Sequence, residues 1–149
     1  MIHIYSKVSN ANHFFARTAP VYLAEEFGTP LYVYNETILR DRCRELRKLI
    51  DYSGFIVNYS PKANSNVELL KIVKEEGLRV DAMSPGEIFV SLLAGFKPEH
   101  ILYIGNNVDE DEFQYAIQAG VKISVDSVSQ LRMYGRLNPG GQVAIRLNP

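Results

Sequence analysis

From residue 55 onward the chain repeats one unit: an apolar run, a polar turn, an amphipathic stretch and a glycine. Each turn carries a short acceptor side chain three residues ahead of an acid or amide: Ser65 with Glu68, Ser84 with Glu87, Asp109 with Glu112, and Ser127 with Gln130. That spacing satisfies two orphan backbone N–H groups at the start of a helix. Pro85 falls at a first helical position, where its missing donor costs nothing. Gly77, Gly95 and Gly120 stand where a left-handed residue closes a helix. The caps advance by 19, 25 and 18 residues, the length of one strand, one helix and two short loops. Strands are expected at 55–60, 78–83, 101–105, 121–125 and 142–147, and helices at 66–76, 86–94, 110–119 and 128–136. Strands joined in this way run parallel, and a parallel sheet needs both faces covered or closure into a barrel.

Upstream, Pro20 to Phe27 reads as a short helix ended by Gly28, Thr29 to Tyr34 as a strand, and Glu36 to Ile50 as an amphipathic helix capped by Asn35. Residues 1–19 alternate only over Ile2-His3-Ile4-Tyr5. The fold class expected is α/β, an incomplete (β/α)8 barrel of the TIM type, with about five of the eight parallel strands that such a barrel of ~250 residues needs. An open sheet cut at that point exposes edges and apolar faces, so the chain is expected to be part of a longer protein.

Composition excludes several classes of function. The 149 residues are 46% hydrophobic, enough for a sizeable core. With 16 basic and 17 acidic residues the net charge is −1, which gives no electrostatic footprint for nucleic acid. Arg40, Arg42, Arg44, Arg47 and Lys48 alternate with Asp41 and Glu45 and read as a solvated helix face. The single cysteine, Cys43, lies at helical spacing from Leu39, Leu46 and Ile50 and reads as a small core residue, not a disulfide partner or metal ligand. No apolar run approaches the length of a membrane span and no secretory leader pattern opens the chain, so no membrane association and a cytoplasmic location are expected. His3, His13 and His100 have no mutual spacing for a metal, and none is expected.

The chemistry concentrates after the first strand, in Phe55-Ile56-Val57-Asn58-Tyr59-Ser60-Pro61-Lys62-Ala63-Asn64. Pro61 ends the ladder because it has no N–H to donate, which leaves Lys62 at the C-terminal tip, the edge of an α/β barrel where chemistry is found. An amine held there beside Asn64, Ser65 and Asn66 can condense with a carbonyl compound or cofactor; the alternative is an ordinary solvated lysine in a βα loop. Asp81 ends the second strand and faces the same mouth; it can also be read as a cap of the following helix, and the two roles are not exclusive. Arg146, at the tip of the fifth strand, is open to a structural ion-pair role.

Tyr59-Ser60-Pro61-Lys62-Ala63-Asn64 resembles the Tyr-Ala-x-Lys-Ala-Asn signature of the diaminopimelate decarboxylase family, within the alanine racemase-like, fold-type III class of pyridoxal-phosphate enzymes. Val80-Asp81-Ala82-Met83-Ser84-Pro85-Gly86-Glu87 is similar to that family's Val-Asp-x-x-Ser-x-Gly-Glu. Ile104-Gly105-Asn106-Asn107, Val125-Asp126-Ser127 and Ile145-Arg146-Leu147-Asn148-Pro149 match successive strand-end motifs in the same order. The resemblance covers residues 20 to 149. Ser65-Asn66-Val67 stands where the racemase branch has Ala-Tyr-Gly, which favours the decarboxylase branch. Ser60 replaces the usual alanine, and Val108 stands where a lysine is common.

The resemblance implies a pyridoxal 5'-phosphate-dependent amino-acid decarboxylase with an amino acid as its small-molecule substrate, converting meso-diaminopimelate to L-lysine; related decarboxylases for ornithine, arginine or carboxynorspermidine carry nearly the same first half. Lys62 is then catalytic, anchoring the cofactor as an imine, with Asp81 and Arg146 as further cofactor-binding residues. A free lysine amine, with pKa ~10.4, must be brought to its neutral form before it attacks, and burial at the strand tip is the expected cause. Ser84 and Glu87 read as a capping pair, and Tyr59 as packing under the site. Residues 1–34 form a leading segment associated in the family with a separate β domain, and 35–149 the first part of the barrel. The family's glycine-rich phosphate loop, its ring-stacking histidine and its pyridine-nitrogen glutamate fall after Pro149, so these 149 residues alone are expected to bind the cofactor weakly and to be inactive. A homodimer is expected of the full protein. Two alternatives remain open: a non-catalytic barrel homologue acting as a binding partner, and an unrelated α/β binding domain complete at this length.

Overall fold

The computed structural model describes Phe14, Phe15 and residues 18–147. The alternation at Ile2–Tyr5, with His3 and His13, lies outside the described residues, as do Asn148 and Pro149. Two compact units divide the chain, Met1–Arg42 and Cys43–Pro149.

In the first unit, α1 (Pro20–Phe27) starts with its proline in the first turn and ends at Gly28, whose φ of 79° is the left-handed value that favours glycine. Helix α2 (Glu36–Arg47) begins in this unit, where Asn35 Oδ1 accepts from the Ile38 N–H at 3.0 Å. The strand expected over Thr29–Tyr34 is not formed; the segment is irregular, with Leu31, Tyr32 and Tyr34 exposed. A run of β-formers such as Leu31 to Tyr34 suits an extended backbone without supplying a partner strand, and Pro30 has no N–H to offer a ladder.

The second unit contains the end of α2, which stops at Arg47, three residues short of the expected Ile50. Leu49 and Ile50 are exposed, so no apolar contact holds a further turn, while Cys43 is buried as expected and forms no disulfide. Strands β1 (Asn58–Tyr59), β2 (Arg79–Ala82), β3 (Ile101–Tyr103), β4 (Lys122–Val125) and β5 (Ala144–Ile145) form one parallel sheet in the order β1-β2-β3-β4-β5. Between them run α3 (Val67–Glu75), α4 (Pro85–Leu93), α5 (Glu110–Gln118) and α6 (Val128–Leu137). A strand order equal to chain order, with right-handed crossovers, puts every helix on the same face. This is an α/β sheet carrying five strands of a (β/α)8 barrel, and it is not closed. β1 and β5 are shorter than expected because each has a ladder on one side only.

The register fixes the two faces. Val80 pairs with Ile101 and Ala82 with Tyr103, which pairs on with Ile123; Val80, Ala82, Ile101 and Tyr103 are all within 1% of complete burial. They meet Leu70, Val73, Ile88, Phe113 and Ala116 from the helices, none above 1% exposure. Each large apolar side chain so buried contributes ~1.5–3 kcal/mol over its exposed state. The intervening residues, Arg79, Asp81, Leu102, Lys122 and Ser124, point to the opposite face, which would line the inside of a closed barrel, and none is fully buried.

The helix starts follow the spacing in three cases of four. Ser84 Oγ accepts from the Glu87 N–H at 3.2 Å, Asp109 Oδ1 from Glu112 at 2.9 Å, and Ser127 Oγ from Gln130 at 3.2 Å. The fourth is shifted by one residue: Asn66, not Ser65, caps α3, its Oδ1 accepting from the Glu68 and Leu69 N–H groups at 2.9 and 3.3 Å. Gly77, Gly95 and Gly120 all have positive φ at the helix ends.

Candidate active site

The turn carrying Lys62 is built from its own neighbours. The Ala63 N–H donates to Ser60 O at 3.1 Å, closing a β-turn with Pro61 second, the position its fixed φ suits. Lys62 is third. Tyr59 Oη reaches over the turn to donate to Asn64 O at 3.1 Å. Asn64 Oδ1 accepts from the Asn66 N–H at 3.0 Å, leading the chain into the α3 cap. Tyr59, expected merely to pack beneath the site, thus fixes the loop on which the amine sits. Pro61 is buried and Lys62 is exposed. The burial expected of Lys62 is therefore absent: the turn lifts its side chain past the end of the helix-facing core.

Asp81 lies on the neighbouring strand. Because Tyr59 pairs with Val80, Ser60 and Asp81 are level with one another, one step nearer the strand tips. Asp81 does not cap α4: Ser84 does, and Glu87 Oε2 accepts from the Met83 N–H at 2.8 Å. Asp81 Oδ1 and Ser60 Oγ are instead buried and without a hydrogen-bond partner among the described residues. A donor-capable hydroxyl and an acceptor are thus held unsatisfied side by side, beneath the turn that presents Lys62.

Arg146 follows β5 directly; its backbone N–H donates to Val125 O at 2.7 Å, and its side chain is exposed with no ion pair among the described residues. The structural ion-pair role is not seen there. β1 and β2 bring Lys62 and Asp81 to adjacent strand ends, whereas Arg146 lies at the far edge of the sheet, four strand spacings or ~19 Å from β1 if the sheet were flat. In a ring of eight, the first and fifth strands stand opposite each other across the mouth.

The remaining strand ends are tied together by a residue that spacing marked only as half of a capping pair. Gln130, buried, accepts from the Asp126 N–H at 3.0 Å through Oε1 and donates from Nε2 to Gly105 O at 3.2 Å, linking the loops after β3 and β4. A Cβ on Gly105 would lie 2.6 Å from both Tyr103 Oη and Val108 Cγ2, so only glycine fits there. Val108, where a lysine is common in the resembled family, is buried and serves the core. Tyr103 beneath it has a phenol without a hydrogen-bond partner among the described residues. Burial, reinforced by the charges of Glu112 and Asp109, pushes that phenol from 10.0 up to about 12.

The family description for pyridoxal-dependent decarboxylases, pyridoxal binding domain, matches residues 36–149, which include all of these strand ends. The chain belongs to the pyridoxal-dependent decarboxylases. Within that family it is 48% identical over 132 residues to the diaminopimelate decarboxylase of Methanothermobacter thermautotrophicus, covering 87% of this chain and 31% of that one. Among solved structures, the diaminopimelate decarboxylase of M. jannaschii in complex with L-lysine superposes with a TM-score of 0.71 at 31% identity, over 80% of this chain and 29% of that one. The lysine/ornithine decarboxylase of Vibrio vulnificus, complexed with putrescine, shares the fold alone, with a TM-score of 0.78 at 18% identity over 85% and 35% of the two chains. The chain spans about a third of the length of the relatives it matches. Among its described residues no helix is long and apolar enough to cross a membrane, and no His/Cys/Asp/Glu cluster could hold a metal ion.

Proposed function

We propose that residues 35–149 are the first part of the pyridoxal 5'-phosphate-binding barrel of an amino-acid decarboxylase that converts meso-diaminopimelate to L-lysine, with 1–34 as a leading segment and a pair of subunits as the working form. The observation that carries this reading is the turn that presents Lys62 at the tip of β1, beside the acceptor of Asp81, unpartnered among the described residues, at the tip of the adjacent β2. These residues fit the cofactor: an aldehyde needs an amine, and an orphaned buried acceptor needs a donor that the described protein does not supply.

In this reading Lys62 Nζ is the covalent anchor of the cofactor and Asp81 orients it. The Asp81 charge cannot be what makes the amine nucleophilic, because a nearby carboxylate favours the ammonium form. Its contribution would be positional: Oδ1, unpartnered among the described residues, lies at the tip of the strand next to the one that carries the amine and would orient the anchored group once the cofactor is bound. Arg146 approaches from the fifth strand and offers a planar, permanently charged donor to an anionic group. Bound pyridoxal phosphate supplies the electron sink that takes up the pair released when carbon dioxide leaves. The substrate assignment is supported by the 48% identity to a diaminopimelate decarboxylase.

The test is turnover by the full protein that carries this chain. Lysine and carbon dioxide are expected from meso-diaminopimelate, with ornithine and arginine turned over at least a hundredfold more slowly. Preferential turnover of ornithine or arginine would reassign the substrate.

A further inference from the structure

The rim where the strands begin, opposite Lys62, holds a cavity of about 420 Å³ within the second unit. Arg47, Lys74, Arg79, Lys97 and His100 line it, and no carboxylate does. Phe55 to Val57 and Leu78 supply an apolar wall.

Helix C-termini also point to this rim, and basic residues there partly answer the helix ends. Arg47 Nη1 donates to Glu76 O at 2.9 Å at the end of α3, and Lys74 Nζ donates to Ala94 O at 3.0 Å at the end of α4. Both cationic heads lie against glycines: a Cβ on Gly77 would meet Arg47 Nη1 at 3.0 Å, and one on Gly95 would meet Lys74 Nζ at 2.8 Å. Two helix ends amount to roughly one negative charge. Four full positive charges face the cavity even with His100 neutral, so capping leaves a surplus of about three.

The donors are surplus too. Arg47 spends one of its five N–H groups and Lys74 one of its three. The side chains of Arg79 and Lys97 have no hydrogen bond or ion pair among the described residues, and Lys97 is exposed. Convergent, under-used guanidinium and ammonium groups suit phosphate oxygens, to which arginine binds in bidentate fashion. The volume lies within the range of small-molecule sites, larger than inorganic phosphate needs, and the wall from Phe55 to Leu78 suits an organic group.

We propose that this cavity is a second binding site, for a small organic polyphosphate, separate from the catalytic rim. The phosphates lie among Arg79, Lys97, Lys74 and Arg47, and the organic part lies on the apolar wall.

Isothermal titration of the full-length, cofactor-loaded protein with metal-free ATP tests this, because loading fills the catalytic phosphate site beforehand. Saturable binding of one ATP per chain is expected, displaced by pyrophosphate and weakened at least tenfold by Lys97→Ala and by Arg79→Ala. Lys97→Ala, an exposed substitution that leaves the fold intact, should keep the ATP-free decarboxylation rate. Absence of saturable binding, binding that pyrophosphate does not displace, or binding indifferent to both substitutions would overturn the proposal.

Discussion

Asp81 occupies a position that the helix after it does not need, because Ser84 and Glu87 already serve the start of α4. A buried carboxylate oxygen left without a donor costs ~1–3 kcal/mol or more, so its retention asks for a partner outside the described residues. Asp81→Asn keeps the shape and removes the charge. In the full protein it should leave the melting temperature unchanged or higher while lowering kcat at least tenfold, as a thermal melt and a rate assay on the same preparation would register. Tyr103 is a comparable orphan on the helix-facing side, with a simpler outcome. Its phenol titrates at 10.0 when unfolded and at about 12 when folded. Below pH 10 both states hold the proton and stability is flat; between pH 10 and 12 the unfolded state releases it first, so stability falls as pH rises, by about 3 kcal/mol in all. Tyr103→Phe should be more stable by about 1 kcal/mol at neutral pH and lack that alkaline loss, as denaturant melts at pH 8 and pH 11.5 would reveal. Neither orphan is legible in the sequence, which places Asp81 and Tyr103 on their strands but not the atoms around their oxygens.

At the scale of elements, the repeat of cap, helix and glycine is strongly legible because each part is a local satisfaction of backbone groups. Ser84, Asp109 and Ser127 cap as their spacing implies, and the glycines at 77, 95 and 120 close their helices. The first cap is misassigned because Ser65 and Asn66 are equally suitable side chains, and the choice is made by Asn64, whose own turn delivers the chain to Asn66. Asn66→Ala should therefore cost ~1 kcal/mol of stability and Ser65→Ala less than ~0.5 kcal/mol, a difference that chemical denaturation of the two variants would resolve. Thr29–Tyr34 fails as a strand for a non-local reason, since a ladder needs a neighbour that local β-propensity cannot specify. The same limit hides Gln130, whose bond to Gly105 O spans 25 positions in sequence.

For the whole molecule, parallel order and one-sided helices bring Lys62 and Asp81 to neighbouring strand ends, and closure of the sheet into a ring would set Arg146 facing them. The five motifs that point to this family are strand-end motifs, which is why the sequence locates the rim and Lys62 on it, while leaving the exposure of that lysine and the cationic cavity at the opposite rim unread. Everything proposed for the catalytic rim depends on one covalent attachment. Borohydride reduction of the full protein loaded with pyridoxal phosphate, followed by peptide mass mapping, measures it directly. The phosphopyridoxyl label is expected on Lys62 and absent from Lys62→Ala; a label on any other lysine, or none in the intact protein, would contradict the account.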